Sequence, residues 1–134
     1  MSKSALYAVN TASQTLAQNG FVEFLQLVRQ TGSSIRLSGG NAMTTEAGFY
    51  AVDVSLTFEA AAAETIVATL LVNGTPVPGA TATITAAAAG EIGSITIPCI
   101  IRTYGCCMAA PSVISVEVNN AATITNASIE VVKL

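Results

Sequence analysis

The stretch GFYAVDVSLTF, Gly48 to Phe58, changes side-chain character at almost every step. Tyr50, Val52, Val54, Leu56 and Phe58 share one parity, and Phe49, Ala51, Asp53, Ser55 and Thr57 share the other. Successive strand residues point to opposite sides of a sheet, whereas a helix groups apolar residues three and four apart. This stretch is therefore a strand with two distinct faces. The segment Ile92–Thr103 repeats the pattern, with Ile95, Ile97, Cys99 and Ile101 on a core side and Thr96, Pro98, Ile100 and Arg102, then Tyr104 just beyond it, on the other. In both strands the second face is small or apolar and almost uncharged.

The same period marks Ala5–Asn10, Gly20–Val28, Ser34–Leu37, Thr65–Asn73, Thr81–Thr85, Val113–Asn119 and Ala127–Leu134, with a short further piece at Ala42–Thr44. β-Branched residues crowd these segments, as a pleated half-buried surface favours. No segment has the period of a long amphipathic helix, and the alanine run Ala60–Ala63 reads as a loop. Turn signals separate the segments, the clearest being Asn73–Gly74, because both residue types tolerate positive φ. Roughly eight to ten strands without helices imply an all-β sandwich or barrel, and strands this long suit a jelly roll. We expect a single domain over residues 1–134, with residues 1–4 as a short tail.

Charge narrows the role. Charged residues make up 10% of the chain, against about 25% in typical domains. Hydrophobic residues make up 51%, and mean hydropathy is +0.61. That is more apolar surface than one small sandwich interior needs. A membrane helix is excluded because no run of about 18 apolar residues exists. An outer-membrane barrel would need lumen-facing charges on alternate positions, and these are missing. Lys3, Arg29, Arg36, Arg102 and Lys133 are scattered, so no basic stripe could track a nucleic-acid backbone. MSKSALYAVN has no apolar signal core, so the expectation is synthesis in the cytoplasm without a signal peptide.

Catalytic options are few. The chain has no histidine, which removes serine–histidine and cysteine–histidine nucleophiles and most zinc sites. No phosphate-cradling glycine motif occurs, and no calcium-loop cluster. Neither a cofactor nor a metal is expected. Of the three cysteines, Cys99 reads as a small core residue, and Cys106 and Cys107 are adjacent in a loop where a strained vicinal bridge is disfavoured. The eight carboxylates are Glu23, Glu46, Asp53, Glu59, Glu64, Glu91, Glu117 and Glu130. Most fall at strand ends or on polar positions, where they solubilise sheet edges. A hydrolase would need two of them facing each other across a cleft. A non-enzymatic protein is the expectation.

Asp53, the one aspartate, admits two readings. It is a solvent-facing strand residue, or it meets a cation at a subunit interface, with Arg102 as the natural candidate. The apolar second faces favour association, because a monomer rarely exposes such a patch. Copies of the chain covering one another resolve the surplus, with Phe49, Ala51, Asp53, Ile100, Arg102 and Tyr104 as expected interface residues. Partner contacts, if loops carry them, fall on Ser38, Gly39, Gly40 and Asn41 or on Cys106 and Cys107.

Three stretches in order, TEAGFYAVDVSLTF, LLVNGTPVPGA and ATITNASIEVVKL, carry a resemblance over nearly the whole chain from about Ala5. The chain resembles the BclA C-terminal domain family, the globular heads of collagen-like spore-surface glycoproteins. More broadly it is similar to the tumour-necrosis-factor and complement-head superfamily. The resemblance implies a ten-stranded jelly roll, assembled as a homotrimer with the GFY strand's outer face against its neighbours. No Gly-X-Y stalk stands among these residues, so the expectation widens from the spore exosporium to a bacteriophage virion decoration or fibre head. Expected partners are other copies of the chain and other surface or capsid proteins. The alternative is a module that binds a carbohydrate or a receptor through loops at one end of the trimer. A shortage of aromatic residues, at 5% with no tryptophan, counts against a sugar-stacking platform.

Overall fold

The computed structural model describes residues 3–40, 42–103 and 112–134. Twelve strands follow in chain order: β1 (Ala5–Asn10), β2 (Gln14–Leu16), β3 (Gly20–Phe21), β4 (Gln26–Thr31), β5 (Ile35–Ser38), β6 (Ala42–Thr45), β7 (Gly48–Ala60), β8 (Thr65–Val72), β9 (Thr75–Thr85), β10 (Ile92–Thr103), β11 (Ser112–Val118) and β12 (Ala122–Lys133). Two of them, β2 and β3, are only three and two residues long. Without them the ten strands implied by the resemblance remain. There is no helix among the described residues.

Alternating burial sorts these strands into two antiparallel sheets. One runs β10–β7–β12–β1–β4, with β2 on the end of β12. The other runs β5–β6–β11–β8–β9, with β3 beside β11. Consecutive long strands change sheet, as from β6 to β7 to β8 and from β10 to β11 to β12, which is jelly-roll winding. The first parity of the GFY strand fills the interior: Tyr50, Val52, Val54, Leu56 and Phe58 are all buried, against Ile66 and Leu70 of β8 and Ile114 and Val116 of β11.

Two local devices fix the ends of β7. Tyr50 Oη and Thr103 Oγ1 both donate to the Glu46 carbonyl, at 2.8 and 2.7 Å, tying β7 and β10 to the turn that precedes β7. At the other end of β10, Gly93 lets the two sheets close. A Cβ built there would lie 2.8 Å from Phe58 Cζ and 2.9 Å from Ile84 Cδ1. The β8–β9 hairpin turns on Asn73 and Gly74 at φ of 53° and 79°, as the sequence predicts. Asn73 also ties that turn to β11, its side-chain oxygen accepting from Val113 N at 2.8 Å.

Apart from the unexpected short β2 and the extension of β7 to Ala60, the expected strands differ most from the structure at three places. Gly20–Val28 is not one strand: the chain leaves the β11 sheet after Phe21, crosses through residues 22–25, and enters the β7 sheet at Gln26. Val22 and Phe24 stay buried through the crossing, so the alternation continues while the partner changes. The last strand begins at Ala122 rather than Ala127, because an irregularity between Ile124 and Asn126 shifts the buried parity from even to odd numbers. The strand read as Thr81–Thr85 starts at Thr75 and takes in Pro76 and Pro78 on an edge, where a missing N–H costs no ladder bond. Ser4, at the end of the expected tail, is buried, and its hydroxyl accepts from Ser34 N at 3.2 Å.

Candidate functional site

The outer face of the β7 sheet carries exposed apolar side chains beside a row of charges. Strand register places its residues in rows that cross five strands. One row reads Ile100, Ala51, Val132, Ala5, Thr31 from β10 to β4. Above it, Arg102 opposes Phe49, and Leu134 N donates to the Phe49 carbonyl at 2.9 Å. Phe49 is 50% exposed, Ile100 66%, Val132 42% and Leu134 68%. Four large apolar side chains thus stand together on one sheet face, where single scattered ones would need no explanation.

Below that patch lies a charged row: Pro98, Asp53, Glu130, Tyr7, Arg29. Asp53 and Glu130 are direct cross-strand partners, so two carboxylates stand side by side, an arrangement that is unfavourable in itself. They line a shallow depression of about 430 Å³ together with Ala51, Pro98, Ile100 and Val132. A second, of about 610 Å³, adjoins it and is lined by Tyr7, Val28, Arg29, Glu130 and Val132 among others. Both open broadly to the surface. The two carboxylates stand side by side on one sheet face, and among the described residues none faces them across the depression.

The interface residues expected from the sequence are placed as follows. Phe49, Ala51, Asp53, Ile100 and Arg102 all lie on this outer face. Arg102 is not beside Asp53. It opposes Phe49, four residues along the strand, and its guanidinium carbon lies 5.3 Å from the centre of the Phe49 ring. Tyr104 lies outside the described residues, as do Asn41, Cys106 and Cys107. Ser38 ends β5, and Gly39 and Gly40 turn the chain at φ of 68° and 83°. The Gly40 carbonyl accepts from Phe24 N at 2.6 Å, which ties this loop to the crossing segment.

Sequence reading missed Glu130, Tyr7, Arg29 and Val132 as members of this face. Glu130 and Val132 did carry the alternation, but their position beside Asp53 and Ala51 depends on register, which one strand alone does not reveal.

Cys99 was expected to be a buried core residue. It is only half-buried, packed against the core from β10, with its thiol free. Burial pushes the thiol above its ordinary value, and the nearby Asp53 carboxylate adds to the rise. A thiol held in its protonated form is a poor nucleophile. Burial likewise raises Tyr50, with a smaller contribution from Glu46. No cluster of three or more metal-ligating side chains exists among the described residues.

Solved structures share this architecture. Murine APRIL superposes with a TM-score of 0.75 at 15% identity, covering 98% of this chain and 99% of that one. The globular domain of the zebrafish complement 1qA protein gives 0.67 at 9% identity, covering 96% and 94%. The PRD1 vertex protein P5 gives 0.61 at 12% identity, covering 100% and 99%. The likeness is one of fold. No protein-family model matches the sequence, and no curated protein matches it. The chain is thus a jelly-roll sandwich of the shape shared by tumour-necrosis-factor-type and complement-head proteins.

Proposed function

We propose that this chain is a non-enzymatic structural module that assembles as a homotrimer and is displayed on the surface of a particle. The particle is either a bacteriophage virion, with the module as a decoration or fibre head, or a bacterial spore, with the module in the exosporium. The observation that carries the reading is the apolar patch of Phe49, Ile100, Val132 and Leu134 on the outer face of the long-strand sheet. Covering such a patch with another copy releases about 25 cal/mol per Å² of apolar surface, before the costs of association. Closure about a symmetry axis uses the same patch on every copy and leaves no sticky surface over.

The spore alternative rests on the BclA-domain resemblance of the three sequence stretches. The virion alternative is supported by the shared fold of the PRD1 vertex protein P5. A non-enzymatic role fits a face that opens broadly to the surface, with its two carboxylates side by side on neighbouring strands.

Light scattering across a dilution series tests assembly. The reading predicts a species of three times the 13.6 kDa chain mass at micromolar concentration. A 13.6 kDa species throughout the series overturns it.

A further inference from the structure

The outer face of the long-strand sheet is not uniformly apolar; its charges are segregated. At one side of a single cross-strand row stand Asp53 and Glu130, paired like with like. At the far side of the same row stands Arg29, on β4, an edge strand whose six residues are all exposed. Tyr7 separates Arg29 from Glu130. At about 4.8 Å per strand, Arg29 is about 10 Å from Glu130 and about 14 Å from Asp53 along the row.

A pair of carboxylates held side by side calls for a cation, and the chain offers five. Arg102 lies over the Phe49 ring. Lys133 donates to Ser34 Oγ at 3.3 Å, away from this face. Arg36 belongs to β5 in the other sheet, and Lys3 precedes β1. Arg29 alone shares the row and presents its guanidinium at an open edge, and it has no ion-pair partner among the described residues.

Resting on the self-association proposed above, we infer that Arg29 of one copy docks on the Asp53–Glu130 pair of the next, so that each acidic site is completed by its neighbour. The contact is head-to-tail: the β4 edge of one protomer covers the β7–β12 part of the next. In a ring of this kind every copy gives one arginine and receives one. The alternative, in which carboxylate pairs converge on one another, would bury like charges without compensation and is disfavoured. The apolar patch drives association in this scheme, and the charge contact fixes which part of the face meets which, as buried charges at interfaces do.

Charge reversal with restoration tests this. Arg29→Glu, and separately Asp53→Lys with Glu130→Lys, should each raise the half-dissociation concentration of the assembly about tenfold or more, measured by sedimentation. The chain carrying all three changes has the contact reversed but complementary, and should return to within about threefold of wild type. Circular dichroism confirms folding of each variant. Because Arg29 is exposed at an edge, Arg29→Gln serves as a milder variant should Arg29→Glu fold poorly, and it should weaken assembly in the same direction. A wild-type oligomer insensitive to Arg29→Glu and Arg29→Gln, or a triple variant no better than the singles, overturns the contact while leaving self-association intact. A wild-type monomer overturns both.

Discussion

Arg102 and Phe49 are direct cross-strand partners between β10 and β7, and the guanidinium carbon lies 5.3 Å from the ring centre. The pair joins a cation to the edge of an exposed apolar patch without covering it. A guanidinium held over a ring in this way contributes about 0.5–1 kcal/mol at an exposed site. Phe49 still keeps half of its surface exposed and available to a neighbour.

Removing that ring should therefore separate assembly from folding. Phe49→Ala, or Ile100→Asp one row below, should leave the circular dichroism spectrum unchanged. Either should raise the half-dissociation concentration by a factor of about ten or more, equivalent to about 1.4 kcal/mol. Sedimentation at several loading concentrations reads the shift.

The Glu46 carbonyl accepts from both Tyr50 Oη and Thr103 Oγ1. Tyr50→Phe removes one donor but leaves the carbonyl satisfied, at an expected cost of about 1 kcal/mol in urea unfolding. Adding Thr103→Val strands a carbonyl near buried side chains. The double variant should then lose more than the two single losses combined, by about 1 kcal/mol.

Sheet closure at Gly93 makes a further prediction. A methyl group there would press on Phe58 Cζ and Ile84 Cδ1 at under 3 Å. Gly93→Ala should destabilise the fold by about 1–3 kcal/mol through overpacking. A second change that makes room, Ile84→Val, should recover part of that loss. Thermal melts of the single and double variants check it.

Alkaline conditions should weaken the fold. Cys99 and Tyr50 both titrate above their ordinary values of 9.0 and 10.0, so the unfolded chain releases each proton more readily than the folded one. Their contribution is intact below the ordinary values and is lost as pH rises through the raised ones. Urea midpoints from about pH 8 to about pH 11 should therefore be flat at first and then fall. Cys99→Ala should delay the onset of the fall.

Much of this architecture was readable in the residues because alternation encodes which side of a strand is buried. In β7 and β10 it separated the two faces residue by residue, and the bounds of β1 and β10 match those of the segments Ala5–Asn10 and Ile92–Thr103. What alternation does not encode is the neighbour. The residues from Gly20 to Leu25 keep their alternation through the crossing, so the change of sheet leaves no mark there. In β12 the irregularity after Ile124 reverses parity, which hid the first part of the strand. The opposition of Asp53 and Glu130 lies beyond any single strand, since it depends on the β7–β12 register. For Asp53 the sequence suggested Arg102 as a partner across a subunit interface; within one chain the two lie four residues apart along the sheet, with Arg102 over Phe49.

Hydroxyl-radical footprinting reads whether copies of the chain cover the outer face of the long-strand sheet. Within one chain Phe49 is 50% exposed and Phe21, on β3 in the other sheet, is 40% exposed. At micromolar concentration Phe49 should be oxidised several-fold more slowly than Phe21. Phe49 oxidised as fast as Phe21 or faster would mean that this face stays uncovered, and would overturn the proposed association.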